Sequence, residues 1–335
     1  MQIRSKILSV VVLLFLICFL VGSWYFFSKP SKKIQDAPQI EASAQTLRQA
    51  KSDWQQRIVE IGPEKAYAEF LAKASTLPLG THNQAHAFGE ALFAVEGLSG
   101  LRYCDSSFEF GCYHSFFGIA VAQEGIGVLS KFDEACKSAY PQMYMPCQHG
   151  IGHGILVYTD YTNLVDALKL CETVSTLPTG GCSSGVFMEN NFHTMDASAD
   201  TAHLRTAGDN LYAPCDTLPE RFQASCYLEQ VQWWQTLFKN NFKHIGELCG
   251  ALKKSGDVMD ACYHGIGNYL AASVALNPKK IIIGCRDMPS EKTQALCHEG
   301  ASWLVRGDGL GIEHAKEICS ALPVDYARAC LRTLE

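Results

Sequence analysis

The polar and apolar positions divide the chain near its start. Residues 7–27 run for 21 positions without a charge, enough to cross a bilayer as one helix. Trp24 and Tyr25 close the run, where amphipathic rings favour the interface. Beyond it the pattern changes to helical periodicity. Leu164, Ala167, Leu168 and Cys171 fall at i, i+3, i+4 and i+7, and Phe132, Ala135 and Cys136 keep the same spacing, one face of an amphipathic helix. The elements predicted are hairpins: a helix A, a turn rich in Gly, Asn or Asp, and a helix B that ends on a cysteine.

Cysteine spacing extends this to the whole of the chain's remainder. Apart from Cys18, the fourteen others lie between Cys104 and Cys330 and alternate short and long gaps. The second member of each short pair recurs after 35, 35, 44, 36, 35 and 33 residues. Such a period denotes stacked supersecondary units. The text around it repeats too, in Cys112-Tyr-His-Ser, Cys147-Gln-His-Gly-Ile-Gly-His-Gly and Cys262-Tyr-His-Gly-Ile-Gly. A cysteine-free unit precedes them, since Gly80-Thr-His82-Asn-Gln-Ala-His86 overlays the segment from Cys147 to His153.

That overlay decides the pairing. Bridges within a hairpin would require a cysteine at Gly80 and leave Cys330 unpaired. Bridges across the short loops leave no orphan: Cys104–Cys112, Cys136–Cys147, Cys171–Cys182, Cys215–Cys226, Cys249–Cys262, Cys285–Cys297 and Cys319–Cys330. Each loop is worth about 3 kcal/mol on the chain-entropy estimate. Zinc is the other use of so many thiols, but C-x-x-C pairs are absent from the sequence, and structural zinc sites usually contain them. Oxidised pairs place the domain outside the cytosol.

The expected fold is all-α: about eight hairpins of ~35 residues in an α/α array, either an open solenoid or a closed toroid with the A helices inside. Residues 1–6 read as a cytoplasmic tail, 7–27 as a transmembrane anchor, 28–50 as a linker and 51–335 as an extracytoplasmic repeat domain, with a first helix at about 45–61. Lys and Arg on both sides of the span leave its orientation to the cysteines. A cleaved signal peptide, with Val21-Gly22-Ser23 as the processing site, is the rival reading. The apolar run continues past that site through Phe27, which favours the anchor.

Residues 112–136, with Gly125-Ile-Gly127-Val before Phe132-Asp-Glu-Ala-Cys136, resemble the Sel1-like repeat in its disulfide-bearing, cysteine-rich form. The resemblance implies an α/α solenoid used for protein contacts, and hence a protein partner. The His-Gly-Ile-Gly-His segment lies outside that pattern.

A net charge of −6 with both signs scattered excludes a basic stripe and argues against nucleic acid. The chemistry that exceeds structural need is histidine placement. His82, His114, His149 and His264 stand two residues after the second cysteine or its Gly80 equivalent, and His86 and His153 stand at six. The i, i+4 pairs share a helix face at a spacing that suits a metal. The next unit carries Glu189 and His193, also i, i+4, before an insertion at about 196–209. His149, His153, Glu189 and His193 are expected to converge, with His82, His86 and His114 in neighbouring rows. Zinc or ferrous iron fits such donors, with Glu189 or Glu229 as ligand or general base. The competing reading is packing alone, the histidines bonding backbone and the glycines admitting close helix contact. Trp233-Trp234 offers a stacking platform or plain core. Three functions follow: a membrane-anchored helical scaffold, a metal-dependent enzyme or metal-binding protein, or a binder of a small anionic or sugar ligand at the glycine-rich helix starts.

Overall fold

The computed structural model describes residues 37–77, 81–108, 110–195, 204–254, 256–307 and 311–334. The predicted span at 7–27 lies outside them. No helix among the described residues is long and apolar enough to cross a membrane. Leu47–Glu335 forms one compact unit.

The described residues form fifteen α-helices and no strand. The first, α1 (Ala37–Ile61), begins earlier than the pattern suggested and takes in part of the expected linker; α2 (Pro63–Lys73) follows, with proline in its first turn, where a missing N–H costs nothing. Eight further helices correspond to helix A: α3 (Thr81–Glu96), α4 (Gly111–Glu124), α6 (Tyr144–Tyr158), α8 (Gly181–Met195), α9 (Glu220–Leu237), α11 (Gly256–Ser273), α13 (Glu291–Gly307) and α15 (Val324–Arg332). Each packs against the next in chain order. The five others are α5 (Leu129–Ala139), α7 (Leu164–Cys171), α10 (Phe242–Gly250), α12 (Pro278–Cys285) and α14 (Gly311–Ser320), and each packs on the helix that follows it. No short α-helix follows α8: the described residues 204–219 form turns instead. Arg205 anchors that segment, donating to Asn191 and Thr194 of α8, to Gln230 of α9 and to the carbonyl of Ala213.

The turn from long to short helix takes one form three times. Asp160-Tyr161, Lys239-Asn240 and Ala275-Leu276 all have φ between 52° and 62°, the left-handed pair that ends a helix. The amide of the second residue bonds back to Leu156, Gln235 or Ala271. An asparagine then caps the short helix: Asn163, Asn241 and Asn277 each accept from the amide three residues on, at 3.2 Å, satisfying a first-turn amide that would otherwise lack a partner.

All seven cysteine pairs stand at disulfide distance in the predicted connectivity, with Cα–Cα separations of 5.4–5.8 Å. Disulfides in this number belong to an oxidising compartment. Six of them tie the first two turns of a long helix to the segment before it. Glycine sets how closely the long helices approach. A Cβ at Gly152 would stand 2.0 Å from the carbonyl oxygen of Cys182, and one at Gly185 would stand 1.9 Å from that of His149. Backbone touches backbone there, and a helix glycine, costly in isolation, is compensated by packing on both sides. In α6, which lies between α4 and α8, every residue from Gly150 to Leu156 is buried. Trp233 and Trp234 are 2 % and 0 % exposed, which makes them core.

Candidate metal centre

Three consecutive long helices bring five histidines together. His82 and His86 stand one turn apart on α3, His114 on α4, and His149 and His153 one turn apart on α6. The disulfides Cys104–Cys112 and Cys136–Cys147 fix the starts of α4 and α6, so a residue two places on falls at the same height in each. Ring centroids are 4.5 Å apart for His82/His86 and 4.9 Å for His149/His153. His114 lies between them, 5.5 and 5.7 Å from His82 and His86, and 5.5 and 4.3 Å from His149 and His153. Two trios offer donor atoms mutually within 4.8 Å: His82, His86 and His114, and His114, His149 and His153.

Hydrogen bonds orient the outer rings. His82 donates from Nδ1 to the Phe108 carbonyl at 2.7 Å. His153 donates from Nδ1 to Glu189 Oε2 at 2.8 Å, and the Tyr161 hydroxyl donates to Glu189 Oε1 at 2.6 Å. Both bonds occupy Nδ1 and leave Nε2 as the nitrogen each ring can offer a metal, the arrangement that aims a ligating imidazole. His153 Nε2 faces His149 Nε2 at 3.1 Å. That separation suits a shared proton, and it is also close to the ~3.3 Å between two nitrogens on one tetrahedral zinc.

The central ring differs. His114 is 5 % exposed, and neither of its ring nitrogens has a hydrogen-bond partner; His86 Nε2 is buried and unpartnered too. An orphaned buried nitrogen costs about 1–3 kcal/mol, and His114 has two. Burial, with repulsion from the neighbouring histidines, holds His114 and His149 well below the ordinary histidine range, and burial with repulsion from His82 pushes His86 down to about 3. These rings are neutral, the state in which an imidazole binds metal. Burial pushes the Glu189 carboxyl up, but hydrogen bonds from His153 and Tyr161 outweigh it and leave it below its usual range.

The structure brings together five of the six histidines the sequence singled out as metal donors, His82, His86, His114, His149 and His153, and leaves His193 outside them. α8 has Ser184 at the position where α4 and α6 carry His114 and His149, so the histidines converge on α3, α4 and α6, and Glu189 reaches in as a partner of His153. His193 joins neither trio and instead stacks face to face on Tyr161, 3.8 Å away and 13° from parallel. Glu229 is also apart from both. It is 3 % exposed and accepts a short hydrogen bond from Tyr269 of α11, and burial pushes it up to about 7. His264 pairs with Glu299 at 3.1 Å. Tyr161 is the residue the sequence reading missed. Its only sequence signal is the Asp-Tyr-Thr-Asn turn at 160–163, whose left-handed pair delivers the hydroxyl to Glu189. A groove of about 380 Å³ lies elsewhere, walled by Lys243, Leu270, Val274, Lys280, Ile283 and Asp287 among others and by none of these histidines. Compared with known family models, with curated proteins and with solved structures, the chain matches none.

Proposed function

We propose that this is a membrane-tethered, extracytoplasmic metal-binding protein, in which tandem helical hairpins stack as an α/α array and hold a divalent transition metal on His82, His86, His114, His149 and His153. One observation carries the reading: His114 is buried with both ring nitrogens unpartnered, in the middle of four other histidines. Packing alone accounts for the glycines but leaves those nitrogens unsatisfied, and buried polar atoms are normally bonded. Imidazole donors suit zinc and ferrous iron, and three of them leave a coordination position for water or substrate. Glu189 has both oxygens engaged, so its role is to orient His153 rather than to act as a base. The uncharged run at 7–27 supports the tether.

The test is elemental analysis of the full chain, purified in detergent without chelator or affinity-tag histidines. Zinc or iron is expected at one or more equivalents per chain, and His114→Ala should lose it with helicity intact. A metal-free protein with all thiols oxidised would overturn the reading and leave the array as a protein-contact scaffold. Glu189→Gln should weaken metal binding ~10–100-fold, measured by competition with a chromophoric chelator. Unchanged affinity would remove Glu189 from the site.

A further inference from the structure

We infer that the centre is dinuclear and that His114 bridges its two ions, one through each ring nitrogen. The inference rests on the metal-binding reading above and adds its stoichiometry and chemistry. The two trios have one member in common, and it is His114. Every other member belongs to an i, i+4 pair confined to one helix, His82 with His86 on α3 and His149 with His153 on α6. The helix bearing His114 packs against both. Each pair is thus a two-nitrogen clamp that lacks a third donor, and the same ring stands beside both clamps.

The hydrogen-bond pattern fits this division of labour. His82 and His153 spend Nδ1 on Phe108 and Glu189 and have one nitrogen left for a metal. His114 spends neither. A terminal ligand in a buried site normally places its second nitrogen on a carbonyl or carboxylate; a bridging ligand has no second nitrogen to place. Metal–nitrogen bonds of about 2.0–2.1 Å on both sides of one ring set the ions ~6 Å apart. The first ion binds to the lone pair of neutral His114. The second replaces the remaining N–H proton, which is released to solvent, and the imidazolate formed carries one negative charge between two dications. No oxidant or reductant is consumed.

Copper(II) makes the bridge visible, because two such ions joined by an imidazolate couple their unpaired electrons. Full-length protein, stripped of metal, is titrated with copper(II) chloride, freed of loose ions by gel filtration, and examined by elemental analysis and low-temperature electron paramagnetic resonance. The expected result is two coppers per chain with a spin count far below two. The double variant His82→Ala/His86→Ala should hold one copper with a full, ordinary mononuclear signal, and His149→Ala/His153→Ala should do the same. One copper per wild-type chain would overturn the bridge and leave the metal-binding reading standing. Two coppers with two independent spins would also overturn it, as two separate sites. No copper would overturn both. The wild-type stoichiometry and spin count need no variant, so a misfolded mutant does not blunt the test.

Discussion

Alanine at Gly185 is expected to destabilise the protein by about 3 kcal/mol, the upper end of what overpacking costs, and to release the metal. The added Cβ would stand 1.9 Å from the His149 carbonyl oxygen and 3.2 Å from the Gly152 Cα. Neither atom belongs to a side chain that can swing aside. Helices α6 and α8 must move apart by more than an ångström, and α6 carries His149 and His153 with it, away from Glu189. Gly118 provides the control. It also lies within a long helix, α4, but a Cβ there meets nothing within 4 Å. Its alanine variant should gain about 0.5–1 kcal/mol, because the unfolded chain loses freedom and no contact is strained. Denaturant unfolding of the two variants should therefore give opposite signs. If Gly185→Ala matched Gly118→Ala, the backbone contact between α6 and α8 would not exist in solution.

The disulfide framework was legible because connectivity reduces to spacing: a period near 35 and one cysteine-free unit admitted a single pairing without an orphan. The histidine pairs were legible for a similar reason, since i and i+4 on a helix share a face whatever the tertiary structure. Which helices converge was less legible. The sequence pointed to α6 and α8, whereas the ring that stands between the two histidine pairs is on α4, and the decisive fact is the Ser184 that stands in place of histidine on α8. Tyr161 escaped because its approach to Glu189 depends on two left-handed residues in a turn, a geometry that apolar periodicity does not encode. The insertion was found from the gap of 44 residues, but the half-buried Arg205 that pins it to α8 and α9 was not. A charged residue in a loop looks solvated until the loop's path is known. Glu229 was picked as a base by its place in the repeat, and it proves to be a buried carboxyl bonded to Tyr269.

That burial gives the second large effect, a dependence of stability on pH. Glu229 has its carboxyl pushed up to about 7 from an ordinary 4.5. The folded state therefore holds this proton between about pH 4.5 and 7, while the unfolded state gives it up. Stability from this group is complete below pH 4.5 and is lost as pH rises through about 7. At ~1.4 kcal/mol per pKa unit the loss comes to about 3 kcal/mol. The depressed histidines His86, His114 and His149 work in the opposite direction over the acid range, so the wild-type curve alone mixes the two. Glu229→Gln separates them. The amide keeps an oxygen to accept from Tyr269 and cannot ionise, and the other groups are the same in both proteins. The stability difference between Glu229→Gln and wild type should grow by about 2.5 kcal/mol in favour of the variant from pH 5 to pH 8. Urea unfolding at the two pH values measures it. A difference that stayed constant would mean that Glu229 ionises as a solvated carboxylate does, and that the contact with Tyr269 opens to water in solution.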